Sequence, residues 1–346
     1  MKLFSCDQCH QTLYFENNRC VSCGQILVYN PVTAQLAGLK PGDRLCSNAF
    51  QNEACNWLVT GGADTSLCQS CELSTVIPDL SDPANALAWQ RIEAAKRRLL
   101  YTLYALELPV LNRTQHPQTG LAFQFLRGTP DAPVMTGHDD GVITLNIEEA
   151  DFAFRENMRE KMGEGYRTLL GHLRHEIGHY YWERLIRDEP ARHDGFRRLF
   201  GDERDSYEQA LDRHYESGPP ANWQDSFVSA YASMHPWEDW AETWAHYLHM
   251  IDTLETARSH GLTLRMPATD GPGERVATER LQSFDFEQLS SGWTALTLAM
   301  NSLNRSMGMK DAYPFVLSPR ALGKLRFVHQ LVEAQRASPV RPAAAA

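Results

Sequence analysis

Apolar side chains recur every three or four residues along several long stretches of the chain, and this period predicts amphipathic helices. We expect helices over residues 86–106, 166–187, 236–258, 286–307 and 318–333. Prolines support these limits, because Pro83 and Pro236 suit a first helical turn whereas Pro190 disfavours helix in the residue before it. The inward-facing positions of the first three helices are Trp89, Ile92, Leu99, Leu103 and Leu106; Leu169, Leu170, Leu173, Ile177, Tyr181 and Leu185; and Trp237, Trp240, Trp244, Leu248 and Ile251.

Strand signals are fewer and shorter than helix signals. Residues 121–126 and 142–147 are strand candidates, and Asp140-Gly141 is a typical hairpin turn before the second of them. Residues 188–234 mix charged, aromatic, Gly and Pro residues, which predicts short helices and loops. The sequence therefore predicts an α+β fold, a mostly helical domain with a small antiparallel sheet. We expect the basic run Lys96-Arg97-Arg98 to form a solvated face of the first helix.

Length and composition divide the chain into parts. It has 346 residues, 43% of them hydrophobic, which is enough for one larger domain with its own core beside a small module. All eight cysteines lie in the first 78 residues, where apolar periodicity is weak. We expect a small metal-stapled module at 1–78, a larger domain at 79–336, and a Pro/Ala-rich disordered tail at 337–346.

Charge and hydropathy narrow the possible partners. The formal net charge is −10, and residues 1–80 carry four basic against seven acidic side chains. Nucleic-acid binding depends on positive charge, so this balance disfavours it. The sequence contains no run of 18 apolar residues, so we expect no membrane span. Because Met1-Lys2-Leu3-Phe4 is too short for an apolar signal peptide, we expect a cytoplasmic protein with reduced thiols.

The cysteines are spaced as metal ligands. Cys6 and Cys9 form one tight pair, and Cys20 and Cys23 form another, ten residues later. Two such turns can aim four thiolates at one ion, which predicts a structural zinc site of the zinc-ribbon type.

A second quartet has only one tight pair. It consists of Cys46, Cys55, Cys68 and Cys71, and we interpret it as a second structural zinc site with four cysteine ligands. Buried free thiols mixed with loop cysteines, or disulfides, are the alternatives.

The second predicted helix carries the pentapeptide His175-Glu176-Ile177-Gly178-His179. Histidines four residues apart project from the same helical face, so both imidazoles can reach one zinc ion while Glu176 reaches a water beside it. The alternative is an amphipathic helix with solvated histidines. His172, one turn earlier, is better interpreted as a neighbouring or surface residue than as a ligand.

A catalytic zinc usually takes three protein ligands, and no third histidine follows His179 closely. The third predicted helix begins near Pro236 and carries Glu238 and Glu242 one turn apart. We assign Glu238 to the metal, and Glu242 to the ring N–H of a ligand histidine. The two roles could be exchanged, Asp239 is a weaker candidate, and both glutamates could be ordinary exposed helix charges.

This combination resembles the gluzincin metallopeptidases, particularly the anthrax-lethal-factor-like branch. In that branch an aromatic-Ala-Glu segment follows the ligand glutamate, as Trp240-Ala241-Glu242 does here. A tyrosine seven residues before that glutamate supports the oxyanion, and Tyr231 stands at this spacing. The resemblance also implies that a strand ahead of the active helix, Thr144 to Ile147, binds the substrate backbone by edge pairing.

More closely, nearly the full length looks like the bacterial zinc-binding metallopeptidases that carry an N-terminal zinc ribbon. The resemblance implies a zincin-like domain at 79–336 after the ribbon. The stretches that carry it, besides the cysteine pairs and the helix with the two histidines, are Glu93 to Leu100, His235 to Leu248, Asn304 to Gly308 and Tyr313 to Phe315.

These features predict a zinc metallopeptidase with one catalytic zinc and one or two structural zincs. Glu176 would take a proton from the attacking water and return it to the leaving nitrogen, and Tyr231 would donate a hydrogen bond to the oxyanion. A peptide or protein is the expected substrate. The alternatives are a non-catalytic, zinc-stabilised binding or regulatory protein that uses the ribbon for protein interaction, a nucleic-acid-binding ribbon, and hydrolysis of amides other than peptides.

Overall fold

The computed structural model describes residues 1–62, 64–129, 131–162, 168–265, 275–276 and 285–337. It divides into two compact units: of the described residues, one contains 2–158 and 168–176, and the other contains Met1, 159–162 and most of 177–337. The boundary falls inside a continuous helix, between Glu176 and Ile177. The predicted division at 78/79 remains a prediction, and residues 338–346 of the expected tail lie outside the described residues.

The first unit contains most of the strands. Its elements are β1 (Phe4–Ser5), β2 (Thr12–Leu13), β3 (Leu27–Asn30), β4 (Gln35–Gly38), α1 (Ser47–Phe50), α2 (Gln69–Glu72), β5 (Ser74–Val76), α3 (Pro83–Ala105), β6 (Ala122–Leu126), β7 (Gly137–Asp139), β8 (Val142–Asn146) and most of α4 (Phe152–Met162), with a 3₁₀ turn at Ile147–Ala150.

The remaining elements are largely helical. They are α5 (Leu169–Leu185), α6 (Pro190–Phe200), α7 (Tyr207–Ser217), α8 (Pro236–Ser259), β9 (Leu264–Arg265), β10 (Arg275–Val276), α9 (Phe286–Ser306) and α10 (Pro319–Ala337), with 3₁₀ turns at Trp223–Asp225 and Tyr231–Ser233. The expected α+β class is confirmed, and the five predicted helices are present. Within the described ranges, no helix combines the length and the apolar character needed to cross a bilayer.

The main sheet is mixed rather than antiparallel, which corrects the predicted sheet. Its strand order is β5-β6-β8-β7; β5 pairs with β6 and β6 with β8 in parallel, and β7 pairs with β8 antiparallel. Parallel neighbours need a long crossover, and α3 lies in the connection between β5 and β6. The β7–β8 hairpin turns at Asp140 and Gly141 as predicted, with φ of 42° and 81°.

The hairpin covers only part of the predicted substrate strand, Thr144 to Ile147. β8 is paired along its length with β6, whereas β7 pairs with residues 142–144 only, ending at the pair of Thr144 with Gly137. Residues 145 and 146 therefore pair with β6 alone, and the predicted edge pairing with a substrate stays a prediction.

Helix α3 is covered on more sides than its apolar stripe predicts. Its predicted inward residues are buried, but so are Lys96 and Arg97, so the expected solvated face is wrong for two of its three residues. The ammonium of Lys96 lies 2.9 Å from Glu93 and also contacts Ser74, while Arg97 donates to the carbonyl of Ala54. A buried charge needs such partners, which a count of apolar positions does not reveal.

The cysteine-rich region has a small aromatic core. Phe15, Tyr29 and Trp57 pack on Tyr101 of α3 or on one another, with ring centroids 4.9–6.3 Å apart. Because strands β1 to β4 have only two to four residues each, these rings provide much of the apolar burial there.

Helices α5 and α8 approach closely at Gly178. A Cβ atom at this position would lie 3.0 Å from Cα of Ala241 and 3.1 Å from Cβ of Trp244. The indole of Trp240 donates to the carbonyl of Gly178 at 2.8 Å, and Tyr181 stacks on Trp244 at 4.8 Å. The missing side chain therefore lets the two helix backbones come together around buried aromatic rings.

The other side of α8 is fixed by a buried ion pair with α10. Asp239 is fully buried, and its carboxylate lies 2.5 Å from the ammonium of Lys324. Burial raises the pKa of Asp239 to about 7, although Lys324 opposes this shift. Lys324 also donates to the carbonyl of Ser226 and faces the ring of Phe227.

Candidate metal centres

The first four cysteines meet at two turns of the same shape. The amide of His10 donates to the carbonyl of Cys6, and the amide of Gly24 donates to that of Cys20, both at 2.9 Å. His10 and Gly24, each four residues after the first cysteine of its pair, have positive φ of 61° and 77°. These left-handed residues close the turns and direct the paired thiols inward.

The second four cysteines are more deeply buried than the first. Cys46, Cys55, Cys68 and Cys71 are all buried, whereas Cys23 of the first group is exposed. Hydrogen bonding with Cys55 lowers the pKa of Cys46, while burial raises the pKa of Cys68 well above its usual value. Four close thiols cannot all become thiolates without a compensating cation.

Sulfur–sulfur distances distinguish a metal site from disulfides. Sγ of Cys6 lies 3.7 Å from Cys23, and 3.6 Å separates both Cys9 from Cys20 and Cys55 from Cys68. A disulfide bond is only ~2 Å long, whereas thiolates around one tetrahedral zinc lie ~3.8 Å apart at the usual bond length. The distances fit zinc, and all eight cysteines are free of disulfides in the structure.

A third cluster of possible metal ligands lies on α5 and α8. Ligand atoms of His175, His179 and Glu238 all lie within 4.8 Å of one another, and all three residues are buried. The two histidines are one turn apart on the same helix, as predicted. Pro236 begins α8, whose third residue is Glu238, and the close approach at Gly178 brings that first turn beside His179.

The donor set fits zinc. Two imidazoles and one carboxylate form a known set for catalytic zinc, which leaves one position for water or substrate. Nε2 of His179 and Oε1 of Glu238 are 3.7 Å apart, close to the ~3.3 Å edge of a tetrahedron with normal zinc bond lengths. The assignment of these residues as ligands remains a proposal.

Glu176 lies on the same helix and has a histidine neighbour. Its Oε1 is 3.8 Å from Nε2 of His172, and Nδ1 of His172 is 3.5 Å from Oε1 of the buried Glu149. His172 therefore lies between two carboxylates, beside the metal-ligand group and outside it. The predicted role of Glu176 as general base stays a prediction.

Two tyrosines accompany Glu238. The hydroxyl of Tyr207 donates to Oε1 of Glu238 at 3.0 Å. Burial raises the pKa of Tyr231 well above its ordinary value, and the charge of Glu238 and hydrogen bonding with Tyr207 add to the effect. Tyr231 thus stays neutral and able to donate, although its predicted contact with an oxyanion stays a prediction.

The other carboxylates of α8 face different partners. Glu242 accepts a hydrogen bond from the hydroxyl of Ser229 at 2.6 Å, and its predicted bond to a ligand histidine stays a prediction. Asp239 faces Lys324 and is absent from the metal-ligand group, so the structure gives no support to this weaker candidate.

Sequence reasoning missed Tyr207, Glu149 and Ser229. Tyr207 and Glu149 reach their partners only through the tertiary fold and carry no recognisable motif. Ser229 lies two residues before the singled-out Tyr231, so that segment contained a signal that was not used.

Family comparisons agree with this geometry. Residues 85–331 match the family described as a putative zinc-binding metallo-peptidase, and residues 3–82 match a zinc-ribbon domain. The first match covers more than half of the chain, so this protein belongs to that metallo-peptidase family and has an N-terminal zinc-ribbon domain. The expected family is confirmed, while the lethal-factor-like branch remains a prediction.

Relatives match over almost the full length. Three are 45% identical over 337 residues, which is 96% of this chain and 96% of each relative. One is an uncharacterized protein of Mycobacterium bovis, and two are uncharacterized proteins of Mycobacterium tuberculosis strains. No solved structure gave a match.

Proposed function

We propose that this protein is a zinc-dependent peptidase of the gluzincin type, with His175, His179 and Glu238 as ligands of one catalytic zinc. The observation that carries the proposal is the buried convergence of these three side chains beside Glu176. Membership of a metallo-peptidase family supports the same reaction class. Two further zincs would be structural, one in each cysteine tetrad.

The chain's own residues would divide the work of hydrolysis. Zinc, when bound, supplies a Lewis acid that activates water and polarises the scissile carbonyl. Glu176 accepts the proton of the attacking water and delivers it to the leaving nitrogen. Tyr231 donates to the oxyanion from a hydroxyl that burial keeps protonated.

The environment of Glu176 favours this role. Only 4% of Glu176 is exposed, so few waters compete for its carboxylate. The ring of His172 lies beside this carboxylate and beside that of Glu149. A positioned carboxylate within reach of one reacting water is what general-base catalysis requires.

The proposal extends to the substrate and the surroundings. We propose a peptide or protein substrate, a reducing cytoplasmic location, and no nucleic-acid or membrane partner. The family description supports the substrate class, the eight undisulfided cysteines support the reducing location, and the net charge of −10 disfavours nucleic acid.

Substitution of Glu176 tests the proposal. Glu176→Gln should retain three zincs per chain but lose cleavage of a mixed peptide library by at least ~100-fold, the usual contribution of a general base. Glu189→Gln is the matched control, because Glu189 is exposed at the start of α6 and should cleave normally.

Two results would contradict the peptidase assignment. Cleavage by Glu176→Gln at the wild-type rate would remove Glu176 from the mechanism. Wild-type protein with two zincs and no cleavage would instead favour the alternative, a zinc-stabilised binding or regulatory protein.

A further inference from the structure

We propose that Tyr207 is a positioning residue for the catalytic zinc, because its hydroxyl holds the carboxylate of Glu238 in the orientation that faces His179. The inference rests on the proposed function, in which Glu238 is a metal ligand. It assigns a role to α7, a helix that contributes no ligand to the three-residue group.

Tyr207 and His179 approach the same oxygen atom. The Tyr207 hydroxyl lies 3.0 Å from Oε1 of Glu238, and Nε2 of His179 lies 3.7 Å from that atom. A carboxylate oxygen has more than one lone pair, so it can accept the phenol's hydrogen bond and still face an ion. The hydrogen bond therefore selects a side-chain orientation of Glu238 that suits metal binding.

Tyr207 is itself fixed at the start of α7. Ser206 caps this helix by accepting from the amide of Gln209, and the preceding Asp205 carbonyl lies 3.0 Å from Nε2 of His235. Nδ1 of His235 accepts from the amide of Trp237, so its Nε2 carries the proton and donates to Asp205. The starts of α7 and α8 are thus tied together.

Ring packing completes this arrangement. The rings of Tyr207 and His235 lie 5.3 Å apart and pack edge to face. The phenol thus arrives at Glu238 from a preorganised helix start, which reduces the conformational freedom lost when the carboxylate binds an ion.

The contacts of the two tyrosines differ. Tyr207 has one hydroxyl proton, which it donates to Oε1 of Glu238. Tyr207 therefore acts on the metal ligand, whereas Tyr231 is the residue proposed to donate to a substrate oxyanion.

Paired phenylalanine variants test this separation. Tyr207→Phe keeps the ring and removes only the hydroxyl, and it should weaken zinc binding at the His175–His179–Glu238 site by about 10- to 100-fold. Its kcat at saturating zinc should be retained. Tyr231→Phe should show the reverse, with unchanged zinc affinity and a kcat lower by about 100-fold. Tyr215→Phe, exposed on the same helix, is the matched control and should change neither quantity.

Zinc affinity is measured by competition with a chromogenic chelator, and the His179→Ala variant supplies the signal of the cysteine sites alone. Wild-type zinc affinity in Tyr207→Phe would overturn the inference. A lower kcat at saturating zinc with unchanged affinity would also overturn it, because Tyr207 would then act in the reaction. The affinity measurement needs no peptidase activity. Wild-type zinc affinity in Glu238→Gln would separately reject the ligand assignment and the proposed function.

Discussion

The cysteine tetrads and the histidine–glutamate centre both gather metal ligands, but their geometry has different origins. The first tetrad lies on tight turns among strands of two to four residues, whereas Cys46, Cys68 and Cys71 of the second lie at or in the four-residue helices α1 and α2. The centre lies on helices of 17 and 24 residues that pack through Gly178, Trp240 and Trp244. We therefore expect zinc to stabilise the fold at the tetrads and to supply chemistry at the centre.

The largest effect should come from breaking the buried tetrad. Cys68→Ser removes a ligand from a fully buried group, and structural zinc in small modules contributes on the order of 10 kcal/mol to folding. We expect loss of one zinc and unfolding of the cysteine-rich region, measured by metal analysis and by calorimetric thermal unfolding. If the variant unfolded like the wild type, the tetrad would not be structural, and the contrast with the histidine–glutamate centre would be wrong.

The opposite result is expected at the histidine–glutamate centre. His179→Ala should lose one zinc and lower kcat/KM by about a thousandfold, since zinc contributes several kcal/mol of transition-state stabilisation. The midpoint of thermal unfolding should change little, because helix packing holds α5 against α8. Retention of all three zincs, or collapse of the fold, would contradict this prediction.

A smaller effect should follow loss of the buried cation behind α8. Lys324→Met leaves Asp239 without its ion-pair partner, and breaking such a pair costs about 3–5 kcal/mol. The folded pKa of Asp239, about 7, is above its ordinary value, so its stabilising contribution is present at low pH and is lost as pH rises through 7. Removing Lys324 raises this pKa further.

Chemical denaturation of the Lys324→Met variant should therefore show a greater loss of stability at pH 8 than at pH 5, even with saturating zinc. A loss that is equal at both pH values would show that Asp239 does not ionise as proposed. If the variant were destabilised without zinc but regained wild-type stability with zinc, then metal binding, and not packing, would hold α8 in place.

The smallest predicted effect compares two helical glycines. Gly178→Ala places a Cβ 3.0 Å from the Ala241 backbone and should destabilise by about 1–3 kcal/mol. Gly323→Ala on α10 meets nothing within 4 Å and should stabilise by up to ~1 kcal/mol through helix propensity. Urea denaturation measures both changes. If both substitutions changed the free energy of unfolding in the same direction, close helix approach would not be the basis of the centre's geometry.

Local sequence patterns predicted the elements and many candidate ligands. Helical spacing placed His175 and His179 on one face, and paired cysteines predicted tight turns, because both signals depend on neighbouring residues. Glu238 could be proposed because Pro236 marks the start of a helix with a regular apolar stripe. These inferences needed no knowledge of distant contacts.

Tertiary contacts account for what the sequence did not reveal. Lys96 and Arg97 look like a solvated basic run, but their burial depends on elements that cover α3 from other parts of the chain. The parallel pairing of β6 with β8 depends on chain path, which strand propensity does not encode. Tyr207 reaches Glu238 across 31 positions, so no local period could connect them.

Gly178 lies between the two histidines of the pentapeptide, at a position where the motif accepts any residue. Because glycine has no Cβ, the helix that carries the glutamate can lie closer to the helix that carries the two histidines. In a relative with a bulkier residue at this position, one of the two helices would have to tilt, or a different acidic residue would have to reach the metal. This unspecified position of the motif therefore helps to determine the geometry of the centre, as do the atoms that would bind the ion.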